Sequence, residues 1–196
     1  MFFFWIFIAL LVAATIYLVS IYNTLIAKRN QIINGFAQID VQLTRRYELI
    51  PNLVEAVKKY MSHERETLTN VIAARNQAAS ALATSGETPS GSDIAKLAVA
   101  EQALGAKMRG FVATFENYPE LKADQTIQQL QEELNSTENR VAFARQHYND
   151  LVNDYNTTAQ EFPANIISGL FKFNESPWLE IDDIEVKRKP LKIDIN

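Results

Sequence analysis

Histidine and acidic side chains are the residues of this sequence that could carry catalysis or bind a metal, and their spacing favours neither. His63-Glu64 does not extend to the HExxH zinc motif, because position 67 is threonine. A carboxylate-bridged di-iron bundle needs Glu-x-x-His on two helices, yet tyrosine stands three residues before His63 and alanine three before His147. We therefore expect both histidines on the surface or in the packed seam of a helical protein.

Asp150 and Asp154 lie four residues apart, a spacing at which two carboxylates on one helix face can share a cation. Acidic residues at this spacing usually face water, so we expect no metal and no cofactor. The sequence has no cysteine, which excludes disulfides and thiolate zinc sites, and it has no Gly-rich phosphate loop or GxSxG motif. These features predict a non-enzymatic protein, since a hydrolase would have only Asp150, Glu101 and His147 to use.

Two charged residues, Arg46 and Glu101, fall in step with the apolar positions of their predicted helices. A charge inside a packed seam costs desolvation free energy unless an opposite charge meets it. We predict that Arg46 and Glu101 pair across a helical bundle and fix its register more than they add stability. The alternative is that local helix rotation carries both long side chains to water.

The helices that must position these residues are predicted from apolar residues spaced three and four apart. The first covers residues 23–50, and we expect Pro51 to end it in a turn or sharp kink, because proline lacks a backbone donor. Further helices are predicted at 52–84, 92–117 and 123–162, with a turn-rich loop between the second and the third. Short connections between long helices predict an all-α fold, an antiparallel four-helix bundle over residues 23–162.

An apolar segment precedes this bundle. Phe2 to Tyr22 form an uncharged run of 21 residues that would span roughly 31 Å as a helix. This length matches the hydrocarbon core of a bilayer, and no basic segment precedes the run as in a cleaved signal peptide. We therefore predict a single-pass transmembrane anchor over residues 1–22. Lys28 and Arg29 follow the anchor and favour a bundle on the cytoplasmic side of a bacterial cytoplasmic membrane.

In an up-and-down bundle the fourth helix returns towards the membrane, so residues 163–173 are expected close to the bilayer. We predict that this segment and the residue before it contact the lipid interface through large apolar side chains: Phe162, Ile166, Ile167, Leu170, Phe171 and Phe173. The alternative is that these side chains pack across the open base of the bundle.

The tail, residues 174–196, is predicted to be short and irregular or extended, because apolar residues alternate with polar ones from Ile184 to Ile195 around Pro190. It could add a strand to a partner, or bring its basic residues to anionic lipid. The alternative is a solvated, partly disordered tail. The net charge of −4 provides no basic footprint for phosphates, so no nucleic-acid partner is expected.

Three blocks of the sequence resemble the LemA family. They are Tyr22-Asn23 with Arg29-Asn30, IDVQLTRRYELIPNLVEAVKKYMSHE from residue 39 to 64, and RVAFARQHYNDLVNDYNTTAQEFPANIISGLFKF from residue 140 to 173. The resemblance implies an N-terminal membrane helix and an antiparallel α-helical bundle, and it implies no particular biochemical activity. Because relatives are often encoded near a membrane zinc metalloprotease, it also suggests a role in envelope stress or membrane-protein quality control.

Long packed seams without catalytic signatures favour a membrane scaffold or adaptor that contacts copies of itself or another membrane protein, such as the zinc protease. We expect the contact surfaces at the two predicted bundle ends, in the segment beginning at Phe162 and around Arg45, Arg46 and Tyr47. The alternative is a membrane-tethered ligand sensor, since helical bundles can hold small molecules between their helices.

Overall fold

The computed structural model describes residues 1–181, and these residues form helices and connections without a β-strand. In chain order the helices are α1 (Phe2–Lys58), α2 (Arg65–Ser85), α3 (Gly91–Thr114), a 3-10 turn (Phe115–Asn117), α4 (Pro119–Ala123), α5 (Gln125–Gln160) and α6 (Ala164–Phe171). The prediction of an all-helical chain is confirmed. The alternating pattern predicted from Ile184 to Ile195 lies outside the described residues.

The chain divides into two compact units. The first unit comprises Met1–Ile39 and Ala144–Trp178, which contain the first part of α1, the last part of α5 and the whole of α6. The second unit is built on Asp40–Phe143, which contain the rest of α1, all of α2, α3 and α4, and the start of α5.

In the first unit, the uncharged run at the start of α1 has its side chains on the outside. Its most apolar window has a mean hydropathy of 2.6, and no residue of that window is buried. The buried face of α1 begins only after this run, at Leu25. The chain thus has one N-terminal helix that is long and apolar enough to span a membrane, as its sequence predicts.

The same unit contains a close approach between α1 and α5 at Gly35. A Cβ atom at this position would lie 2.8 Å from Leu151 Cδ1 and 3.6 Å from Tyr148 Cα, so the absence of a side chain permits the spacing. One residue further along, the rings of Phe36 and Tyr148 meet edge to face with their centroids 6.0 Å apart.

In the second unit, α2 and α3 pack against each other as a helical hairpin. Ser90 caps the second arm: its hydroxyl accepts from the Asp93 N–H at 3.3 Å, and the Asp93 carboxylate accepts from the Ser90 N–H at 3.1 Å. Hydrogen bonds from Ser90 hold the pKa of Asp93 below its usual range. Gly86, at the end of α2, takes a positive φ of 64°, which glycine adopts without strain.

The helix break predicted at Pro51 is wrong. α1 passes through Pro51 and ends at Lys58, so the break between the predicted helices 23–50 and 52–84 lies instead between Lys58 and Arg65. Proline has no N–H to donate to the carbonyl four residues earlier, which is that of Tyr47. Arg75 of α2 supplies the missing donor, with its Nε 2.8 Å from the Tyr47 carbonyl oxygen. The helix therefore continues without leaving this buried acceptor unsatisfied.

Candidate functional site

The structure brings Arg46 of α1 and Glu101 of α3 together inside the second unit. Arg46 Nη1 lies 2.9 Å from Glu101 Oε2, and the two side chains are only 6% and 2% exposed. The hydroxyl of Tyr47 donates to the other carboxylate oxygen of Glu101 at 2.5 Å. We call these three residues the buried polar cluster. The pairing predicted from the sequence is present, and its role in fixing register stays a prediction.

Consecutive residues of α1 supply an exposed and a buried ion pair. Arg45 pairs with Glu133 at 2.6 Å, and these two side chains are 48% and 42% exposed. Arg46 and Tyr47 are instead buried. Exposed pairs contribute at most about 1 kcal/mol, whereas a buried charge that loses its partner costs about 3–5 kcal/mol. Breaking the ion pair of the buried polar cluster should therefore lower the free energy of unfolding more than breaking the exposed pair.

Burial and the adjacent Glu101 charge raise the pKa of Tyr47 well above its usual range. The Tyr47 hydroxyl therefore stays neutral and remains a donor to the carboxylate. The sequence does not indicate that Tyr47 joins this pair, because an aromatic residue beside Arg46 matches an apolar seam equally well. The helices enclose the cluster, so what its geometry can do is orient α1 against α3.

The contact surface predicted around Arg45, Arg46 and Tyr47 is wrong. This prediction depends on a helix end at Pro51, which would leave the three residues at one end of the bundle. Since α1 continues to Lys58, they lie within the helix, and two of the three are buried. Arg45 alone is accessible, and it is occupied by Glu133.

The histidines and the aspartate pair do not form a site. His63 is exposed in the turn between α1 and α2, and His147 is exposed on α5. Asp154 forms an ion pair with Lys28 of α1 in the first unit. Among the residues of 1–181 whose side chains are described, no group of three or more histidine, cysteine, aspartate or glutamate side chains is placed to hold a metal ion.

The six apolar residues predicted to contact the membrane divide into two groups in the first unit. Ile167 and Phe173 are buried, whereas the other four are between 54% and 82% exposed: Phe162, Ile166, Leu170 and Phe171. The ring of Tyr22, the last residue of the uncharged run, meets the Phe171 ring at 4.9 Å and the Phe173 ring at 5.5 Å. The structure thus places the segment beside the end of the uncharged run, with part of it packed inward and part exposed.

A short extended stretch, residues 174–177, follows α6 and is bound to α5. Tyr155 and Tyr148 donate their hydroxyls to the carbonyl oxygens of Asn174 and Pro177, at 3.0 and 2.9 Å. The Asn156 side chain hydrogen bonds to both backbone groups of Ser176, each at 2.9 Å. These hydrogen bonds hold the four residues against α5, although Asn174 and Glu175 remain exposed to solvent.

This stretch explains part of the sequence block RVAFARQHYNDLVNDYNTTAQ. Its two buried tyrosines are seven residues apart and share one face of α5, and Asn156 is buried at the next position along the helix. Their polar atoms hydrogen bond to the backbone of residues 174–177. Sequence periodicity marks this face as packed, but it does not reveal what packs there.

No match was found among curated proteins. The model of the LemA family matches residues 35–194, which is most of the chain. This match includes the buried polar cluster, α6 and the tyrosines of α5. It covers two of the three sequence blocks, those at residues 39–64 and 140–173, so the family resemblance is confirmed and the chain belongs to the LemA family.

Proposed function

We propose that this protein is a non-enzymatic helical scaffold or adaptor anchored in the bacterial cytoplasmic membrane by a single helix. The observation that carries the proposal is the outward-facing apolar run of residues 2–22. In the centre of a bilayer each Phe, Ile, Leu or Val residue contributes about 0.3–0.6 kcal/mol to insertion. The run contains thirteen of them, so insertion is favourable by roughly 4–8 kcal/mol.

Anchoring is tested by placing charge in the middle of the run. Two arginines there cost about 5–7 kcal/mol, which cancels most of the gain. We expect the Leu11→Arg, Val12→Arg double variant to leave the membrane pellet under an alkaline wash that retains the unchanged chain. The matched control is Val99→Arg with Val112→Arg, two exposed positions of α3. Equal release of both double variants contradicts an anchor at residues 2–22.

The second unit supports a scaffolding function, because the residues of its buried polar cluster pair with one another inside the protein. Its buried charges are directed at each other, and α2 and α3 form a packed hairpin. We propose that the four long helices, α1, α2, α3 and α5, form an antiparallel bundle whose outer surface contacts copies of itself or another membrane protein. A membrane zinc protease is one such partner. Lys28 and Arg29 support a bundle on the cytoplasmic side.

The protein mass of the complex extracted gently from native membranes tests this proposal. A homogeneous multiple of the 22.2 kDa chain supports a self-assembling scaffold. A particle with a second, stoichiometric protein supports an adaptor and identifies its client. A lone 22.2 kDa chain contradicts both. Fusion of a reporter enzyme to the C-terminus, active on one side of the membrane only, tests the cytoplasmic orientation.

A groove in the second unit favours ligand sensing as a second candidate function. It has a volume of about 590 Å³ and lies between the end of α1 and the start of α2, where Pro51, Met61 and Leu68 are among its lining residues. Apolar concave surfaces of this size hold small molecules. A saturable ligand that raises the melting temperature of the unchanged chain, but not of Ile72→Trp, supports this function. Stabilisation of both contradicts binding in the groove.

A further inference from the structure

The outward face of α6 is apolar where a helix facing water would be polar. Ile166 and Leu170 are spaced four apart and share one face of α6, and Phe162 is exposed in the turn before the helix; we call these three residues the outward stripe. All three are exposed in the first unit. A surface helix normally directs its apolar stripe inward and its polar face outward. This stripe therefore requires an apolar environment other than the protein's own core.

The inward face of α6 is already filled by other residues. Ala164 and Ile167 are buried there, and the backbone N–H of Phe173 donates to the carbonyl of Ser168 at 2.9 Å. Lys172 adopts a left-handed conformation between them, which turns the chain out of the helix. The three residues of the outward stripe are thus not needed to hold α6 in place.

The position of α6 along α1 indicates what covers the stripe. Tyr22, at the end of the uncharged run, packs edge to face on Phe171 at 4.9 Å. The guanidinium of Arg29 lies 6.0 Å from the centroid of the Phe173 ring. An aromatic group and a cation at this level match the boundary between acyl chains and lipid headgroups. The stripe also contains too few residues for a stable protein interface, which needs about 20–30 on each side.

We propose that α6 is a second membrane contact, in which Phe162, Ile166 and Leu170 insert at the boundary between headgroups and acyl chains. The occupant of this surface is the bilayer that α1 crosses, and the inference rests on the proposed membrane anchor. Ile167 and Phe173 take no part, because they are buried in the protein. The membrane side of the first unit is then defined by two elements: the span and α6.

The absence of cysteine makes this proposal directly testable with single labels on the full-length chain. An environment-sensitive fluorophore is attached at Ile166→Cys, at Leu11→Cys within the run, or at Val99→Cys on α3. All three positions are exposed, so none of the labels disturbs the core. Each protein is reconstituted into phosphatidylcholine and phosphatidylglycerol vesicles. Quenching by lipids brominated at shallow or deep acyl positions is compared with quenching by iodide on both sides.

We expect the Ile166 label to be quenched several-fold more by shallow bromines than the Val99 label, which iodide alone should reach. The Leu11 label should respond most to deep bromines. An Ile166 label that behaves like Val99 overturns the proposal, while quenching at Leu11 shows that the anchor stands. An Ile166 label shielded from both quenchers also overturns it, because protein then covers α6. Failure at Leu11 contradicts the anchor itself.

Discussion

Replacing Glu101 by leucine removes the carboxylate that accepts from both Arg46 and Tyr47. The arginine charge would remain buried without this partner, which costs about 3–5 kcal/mol. The Glu138 carboxylate, 3.9 Å from Arg46 and largely exposed, offsets part of that cost. The Tyr47 hydroxyl loses its acceptor, at about 1–3 kcal/mol, and the two losses overlap. We expect a total near 4 kcal/mol.

For a chain of this size, each kcal/mol shifts the melting temperature by about 2–4 °C. Glu101→Leu should therefore melt roughly 8–16 °C below the unchanged protein, as measured by far-UV circular dichroism of the detergent-solubilised chain. The matched control is Glu133→Leu, which removes the exposed partner of Arg45 and should cost at most about 1 kcal/mol.

Two results would refute this reasoning. The first is a Glu101→Leu variant whose melting temperature and oligomeric state equal those of the Glu133→Leu control. The second concerns the double variant Arg46→Met, Glu101→Leu, in which no charge is left buried. Replacement of a buried pair by apolar residues is often neutral, so this variant should melt above Glu101→Leu alone. A further loss of stability would show that the unpaired arginine is not the cause.

Two further predictions concern hydrogen bonds within single units. Arg75→Met should lower the free energy of unfolding by about 1–3 kcal/mol, because the Tyr47 carbonyl loses its donor. Adding Pro51→Ala should recover part of this loss, because alanine restores the helical N–H that proline lacks. Strictly additive effects of the two substitutions in urea denaturation would contradict this account. Burial raises the pKa of Tyr148 to about 12. The unfolded chain releases this proton near pH 10, so stability should be complete below pH 10 and fall as the pH rises towards 12. Tyr148→Phe, which also loses the hydrogen bond to Pro177, should show a smaller decrease over this interval, and an unchanged pH profile argues against the shift.

Apolar periodicity predicted the buried face of α1 correctly, because the positions that share one face of a helix depend on spacing alone. Six apolar residues of the predicted helix 23–50 share one helical face, and all six are buried in the structure: Leu25, Ile32, Phe36, Ile39, Leu43 and Ile50. The same local information led to the wrong break at Pro51. The hydrogen bond that Pro51 cannot donate is replaced there by one from Arg75, which lies 28 residues from Tyr47 and so is not part of the local sequence pattern.

Only those members of the buried polar cluster that break the apolar pattern of their helices could be predicted from the sequence. Arg46 and Glu101 are charges at apolar positions, so their pairing could be predicted before the structure was known. Tyr47 follows the apolar pattern and gave no such signal. Residues 174–177 are held largely through backbone groups, which every residue carries, so their attachment to α5 has no signature of its own.

Within the first unit no linker follows the apolar run, since one helix continues from Phe2 through Ile39. For a chain anchored as proposed, residues 23–39 extend roughly 25 Å past the run as a lever without a hinge. A bilayer whose thickness changes alters the tilt of a spanning helix. A change of about 10° would displace Ile39 sideways by about 4 Å. For a chain anchored in this way, a change in bilayer thickness would therefore move the surface of the first unit.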